Sequence, residues 1–262
     1  MGAVCCVLGV LAMALLPGSA RAQAGGSLPT VVLVHGNWDR PAGWNGVASR
    51  LRDAGYPVVV PDNPLRTVWG DSAAISRVLH GVAGPIVLVG HSYGGFVITN
   101  AALNNPRVKA LVYIAAFAPD KGETALGLLA RSPGSLLPIA LVPTPFVGPG
   151  GKIGVDTIIN PLLFPTVFAQ DVPSRTAREM ASHQQPATLA SGSGKSGVPA
   201  WRSIPSWFMV ARNDRIIPPA VERFMAQRAG ATTVEIASSH AVPAAHPAEV
   251  ADFVLRAAQA AR

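Results

Sequence analysis

Residues 86–95 read Ile86-Val87-Leu88-Val89-Gly90-His91-Ser92-Tyr93-Gly94-Gly95. Four apolar residues without alternation suit a strand buried on both faces, and a helical stretch, Phe96 to Leu103, follows directly. Between them stands the pattern G-x-S-x-G, in the strand-turn-helix setting that gives it chemical meaning. Gly90 and Gly94 leave space for the close approach of strand and helix, and the turn lifts the Ser92 hydroxyl clear of the sheet. The bare pentapeptide would pass for an ordinary glycine-rich turn. Its flanks single out Ser92 as a candidate nucleophile.

Working outward, similar apolar runs occur at Val31 to Val34, Val58 to Val60, Leu111 to Ile114, Trp207 to Ala211 and Val234 to Ile236. Helical patterns separate them. Trp44, Val47 and Leu51 share one face of a helix ended by Gly55, Asp71 opens a helix over Ser72 to Val82, and another helix spans about Pro218 to Ala229. A last helix carries Val250, Phe253, Val254 and Ala257 at the spacing of an apolar stripe. Alternating strands and helices predict an α/β fold with a mostly parallel, doubly wound sheet. From about Pro119 to Ile204 the composition turns to Pro, Gly and Ser with irregular apolar clusters. This stretch, about 119–204, is expected to be an inserted, largely helical cap, with Ser191 to Lys195 as a mobile loop. Its Phe164 and Phe168, together with Trp38, are candidate substrate-binding side chains.

A serine hydroxyl is a poor nucleophile at neutral pH, so it needs an imidazole to take its proton and an acid to orient that imidazole. In this kind of sheet the chain order is Ser, acid, His. Of the histidines after Ser92, His240 lies in a loop just past the strand ending at Ile236, at the carboxyl edge where ligands bind. His246 precedes Pro247 and the final helix, and His183 falls in the cap, so both read as surface residues. Asp214 follows the strand ending at Ala211 and is the best-placed acid, with Asp120, after the strand ending at Ile114, as the alternative. His91 and His35 read as structural hydrogen-bonding residues. Charge developing on the substrate oxygen needs fixed donors, for which the backbone N–H groups of Tyr93 and Asn37 are the candidates.

These stretches together resemble the α/β-hydrolase superfamily. More narrowly, VLVHGNW at Val32 to Trp38, Asn63-Pro64-Leu65, VLVGHSYGGFVITNAA at Val87 to Ala102, YIAAFAPDKGE at Tyr113 to Glu123, ARNDRIIPP and SSHAV are similar to small bacterial esterase-like hydrolases related to plant methyl esterases and hydroxynitrile lyases. The resemblance implies a Ser-Asp-His triad and no cofactor or metal. Haloalkane dehalogenases and epoxide hydrolases of this fold use Asp where Ser92 stands, and the hydroxynitrile lyases carry a Lys where Ala241 stands. Both chemistries are thereby disfavoured.

The chain has 262 residues, 49% of them hydrophobic and 13% charged, enough for one globular core and unlike a disordered chain or coiled coil. Its net charge of +7 is spread along the sequence without a dense basic run, which argues against a nucleic-acid partner. Ala3 to Leu16 is an uncharged apolar run followed by Pro17, Gly18 and small residues, the layout of a signal peptide over residues 1–24 and shorter than a stable membrane span. Cys5 and Cys6 both lie inside it, so the mature chain, 25–262, is expected to have no thiol chemistry and to be secreted or periplasmic. The expected function is a serine carboxylesterase acting through an acyl-enzyme on small to medium apolar esters. The alternatives are the same triad acting on amide, lactone or carbon–carbon bonds, or a non-catalytic ligand receptor.

Overall fold

The computed structural model describes residues 1–2, 27–151 and 153–261. The expected signal peptide, beyond its first two residues, lies outside them. The chain begins with β1 (Thr30–Val34), α1 (Asn45–Asp53), β2 (Val58–Val59), α2 (Val68–Gly81), β3 (Ile86–Ser92), α3 (Tyr93–Ala101) and β4 (Val108–Ala116). Next come α4 (Ala125–Leu129), α5 (Leu137–Ala140), β5 (Leu141–Val147), β6 (Ile153–Ile159), α6 (Phe164–Val167), α7 (Ser174–Ser182), β7 (Ala187–Thr188) and α8 (Leu189–Ser193). It closes with β8 (Ser206–Ala211), α9 (Pro219–Arg228), β9 (Thr232–Ile236), α10 (Val242–Ala245) and α11 (Pro247–Ala260).

Among the described residues β2, β1, β3, β4, β8 and β9 form one six-stranded sheet in that order, every neighbouring pair parallel. The apolar runs of the inner strands do not alternate because both faces of the sheet are covered. Val32, Leu88, Leu111 and Phe208 pack toward α2, α3 and α9, whereas Val31, Val87, Val112 and Met209 pack toward α1 and α11. The stripe Val250, Phe253, Val254 and Ala257 of α11 is fully buried. Complete burial of one such Val or Phe side chain contributes about 1.5–3 kcal/mol over leaving it exposed.

From β1 the chain turns to β2 on one side, then crosses to β3 on the other, so the strand order reverses between β1 and β3. Such a reversal opens a crevice at the carboxyl ends of the strands. The loop after β1 and the turn after β3 both empty into it.

Three local expectations change. The cap of α2 is Thr67, whose side chain accepts the Gly70 N–H at 3.0 Å, while Asp71 lies inside the helix with its carboxylate turned into the core. The stretch between β4 and β8 contains the antiparallel sheet β5-β6-β7 as well as short helices. Pro143 and Pro145 interrupt the strand signal of β5, and they are tolerated because β5 is an edge strand. Within this stretch Ser191 to Ser193 belong to α8 rather than to a loop, and Ser191 is buried.

Candidate active site

Ser92 ends β3 and has φ +54° and ψ −125°, a conformation that a non-glycine residue adopts only under constraint. The constraint is packing. A Cβ on Gly90 would come within 2.6 Å of the Gly94 backbone, and one on Gly94 would collide with the Val34 carbonyl of the neighbouring strand. Strand and helix can therefore meet closely enough to force the turn. Tyr93 is the first residue of α3, so its N–H has no acceptor within the helix and points, with the positive end of the helix dipole, toward the crevice.

His240 lies between β9 and α10 and is fully buried. Its Nδ1–H donates to Asp214 Oδ2 at 2.5 Å, and its Nε2 is buried without a hydrogen-bond partner among the described residues. Asp214 Oδ1 accepts the N–H groups of Ile216 at 2.6 Å and Ile217 at 2.9 Å, which fixes the carboxylate. The two loops are laced together because β8 and β9 are neighbours: Arg212 N–H donates to the Ile236 carbonyl at 2.8 Å and Asn213 N–H to that of Ser238 at 3.0 Å. Across the sheet, His91 Nε2–H donates to the His240 carbonyl at 2.8 Å, and the two rings lie 4.8 Å apart. The histidine loop is thus tied to the residue preceding Ser92. Burial holds the His91 pKa well below the usual histidine value, so it serves as a neutral tether.

The loop after β1 is equally fixed. His35 Nδ1–H donates to the Gly36 carbonyl at 3.0 Å while its Nε2 accepts the Asn63 N–H at 3.1 Å, and burial lowers its pKa to about 4. Gly36 passes so close to Ser92 that a Cβ there would lie 2.5 Å from Ser92 Cβ and 3.1 Å from its Oγ. Asn37 Nδ2 donates to Ser191 Oγ at 3.0 Å, and Trp38 Nε1 donates to the Thr157 carbonyl at 3.0 Å. Both anchors lie in the stretch between β4 and β8.

Ser92, Asn37, Tyr93 and Trp38 line a small apolar cavity whose remaining walls are mainly Phe117, Leu126, Leu129, Leu137, Leu141 and Leu189. Tyr93 closes one side with its hydroxyl donating to Asp71 at 2.9 Å. Phe164 and Phe168, expected to touch substrate, do not line this cavity. Phe168 packs edge-on against the His240 ring at 4.7 Å, and Phe164 stacks behind it at 4.6 Å. They are drawn there because the Phe168 carbonyl accepts the Ala241 N–H, which docks this segment on the histidine loop. The alternative acid Asp120 instead pairs with Arg202 at 2.8 Å, and His246 lies between Asp171 and Glu249, 3.5 Å from each. Sequence reasoning passed over Asp171, which accepts the Ser239 N–H at 2.8 Å, and Ser191, which holds Asn37. Neither carries a local signal, since each contact spans distant parts of the chain. Among the described residues no group of three or more His, Cys, Asp or Glu side chains is gathered to hold a metal ion, and no helix is long and apolar enough to cross a membrane.

Residues 31–253 match the model of the alpha/beta hydrolase family. The carbendazim hydrolyzing esterase of Nocardioides sp. (strain SG-4G) is 33% identical over 114 residues, which make up 38% of this chain and 47% of that protein, so the match spans less than half of that relative's length. Among solved structures, polyneuridine aldehyde esterase superposes with a TM-score of 0.76 at 19% identity, covering 88% of this chain and 99% of that one. A methylesterase from Arabidopsis superposes with a TM-score of 0.72 at 16% identity, covering 88% and 99%.

Proposed function

Because the chain belongs to the alpha/beta hydrolase family, we propose that it is a serine esterase that cleaves small to medium apolar carboxylic esters through an acyl-enzyme. The observation that carries this reading is the pairing of a constrained Ser92, at the mouth of a leucine-lined cavity, with the buried His240–Asp214 pair tethered beside it. In the proposed reaction His240 Nε2 takes the Ser92 proton as Oγ attacks the ester carbonyl, and Asp214 stabilises the imidazolium that forms. The N–H groups of Tyr93 and Asn37 receive the developing oxyanion, worth about 3–4 kcal/mol for a single donor in comparable sites. Collapse expels the alcohol with the proton from His240, and water, activated in the same way, releases the acid. The relatives called esterases by name support an ester over an amide, lactone or carbon–carbon bond. Export from the cytoplasm, on the strength of the apolar run Ala3 to Leu16, is part of the proposal.

The test is hydrolysis of p-nitrophenyl esters from acetate to palmitate by the wild type, Ser92→Ala and His240→Ala. Both variants should retain the fold by circular dichroism and lose about four to six orders of magnitude in turnover. Activity that survives in either variant, or no wild-type activity on any ester, would overturn the reading.

A further inference from the structure

Behind Asp214 lies a second carboxyl that the proposed reaction does not use. Glu222, in the first turn of α9, is fully buried. One of its oxygens, Oε2, accepts the Ala211 N–H at 3.2 Å, and the other, Oε1, is buried with no donor among the described residues reaching it. Asp214 stands next to it, close enough for a hydrogen bond between the two side chains. A carboxylate offers about four acceptor sites. On Asp214 three are occupied, by the N–H groups of Ile216 and Ile217 and by His240 Nδ1–H.

Two ionised carboxylates cannot share a hydrogen bond, so one of the pair carries a proton. Asp214 receives two backbone N–H groups and the imidazole, which favour its anion, whereas Glu222 receives one N–H. The proton therefore belongs to Glu222. Burial first, and then the charge of Asp214, drives its pKa well above the ordinary carboxylate range. The charged groups facing it are Asp214 on the loop after β8 and Arg223 of its own helix, whose guanidinium is engaged by Glu235 at 2.7 and 2.9 Å.

We propose that Glu222 is a positioning residue whose neutral carboxyl donates to Asp214, filling the last acceptor site of that carboxylate and limiting how strongly Asp214 holds the proton on His240. The inference rests on the Ser92–His240–Asp214 reading of the site. With the donor present, Asp214 orients the imidazole without trapping it as imidazolium. Without it, more of the Asp214 charge acts on His240 and the base protonates at higher pH.

Glu222→Gln keeps a neutral donor of the same shape, and Glu222→Leu removes it. The experiment is nitrogen-15 NMR titration of the His240 ring in the wild type and both variants, a readout that needs no turnover. The Gln variant should give the wild-type curve, and the Leu variant a curve displaced to higher pH. Equal titration in all three, or a Gln variant that shifts as far as Leu, would overturn the proposal. Where Glu222→Leu does not fold, thermal unfolding of wild type and Glu222→Gln between pH 5 and pH 9 decides. A carboxyl raised in the folded state contributes stability fully below its unfolded pKa and loses it as pH rises toward the folded value. The advantage of Glu222→Gln should therefore grow with pH, and parallel curves would refute a protonated Glu222. If no ester is cleaved yet His240 still shifts in Glu222→Leu, the reaction assignment fails while the positioning role of Glu222 stands.

Discussion

Ser92 at φ +54° stores strain, about 1–3 kcal/mol for a residue in such a region, and the surrounding close approaches hold it there. Ser92 was legible because the motif encodes that turn locally. Asp214 and His240 were legible as candidates because each stands in a loop just beyond a recognisable strand. His35 carries a pH consequence. Its pKa falls from 6.5 to about 4 on folding, so the unfolded chain binds more protons between those values and stability drops as pH is lowered through the window. The shift corresponds to roughly 3 kcal/mol in all. Urea denaturation between pH 7 and pH 4 should show this fall, with His91 adding to it in the same direction, and His35→Gln should flatten it. An unchanged slope in that variant would assign the acid sensitivity elsewhere.

At the scale of elements, the far end of the loop after β1 is held from outside the parallel sheet. Ser191 of α8 and Thr157 of β6 hold its Asn37 and Trp38 side chains, so the N–H proposed to receive the oxyanion is positioned by a segment more than a hundred residues away. Removing one neutral hydrogen bond of this kind costs about 0.5–1.5 kcal/mol. Ser191→Ala should lower kcat by about three- to tenfold with KM nearly unchanged and the melting temperature lower by a few degrees, as steady-state kinetics beside calorimetry would show. A fall confined to melting temperature would leave Ser191 with a packing role alone. The strands of the parallel sheet were readable because a doubly covered strand writes itself as a run of Val, Ile and Leu. The strands β5 to β7 were not, since an edge strand carrying Pro143 and Pro145 has neither a continuous apolar run nor clean alternation.

For the molecule as a whole, the cavity is a composite of the loop after β1, the turn after β3, and the side chains of α4, α5 and α8. Its volume is thus set by how the stretch between β4 and β8 seats on the sheet. Leu129→Trp, which adds bulk to one wall, should move the best p-nitrophenyl ester to a shorter chain and leave acetate hydrolysis within about threefold, since overpacking acts where space is filled. An unchanged chain-length profile would mean that substrate does not occupy this cavity. The sequence by itself determined the α/β order and the parallel sheet, and brought Ser92, Asp214 and His240 forward as candidates, because periodicity and turn chemistry are local and a loop inherits its place from its strand. Only the tertiary structure decided that Phe164 and Phe168 buttress His240 instead of lining the cavity, that Ser191 is a buried anchor, and that Glu222 backs Asp214. Those relations join residues far apart in the chain, where packing and the need to satisfy buried polar groups choose the partner and no local pattern records the choice.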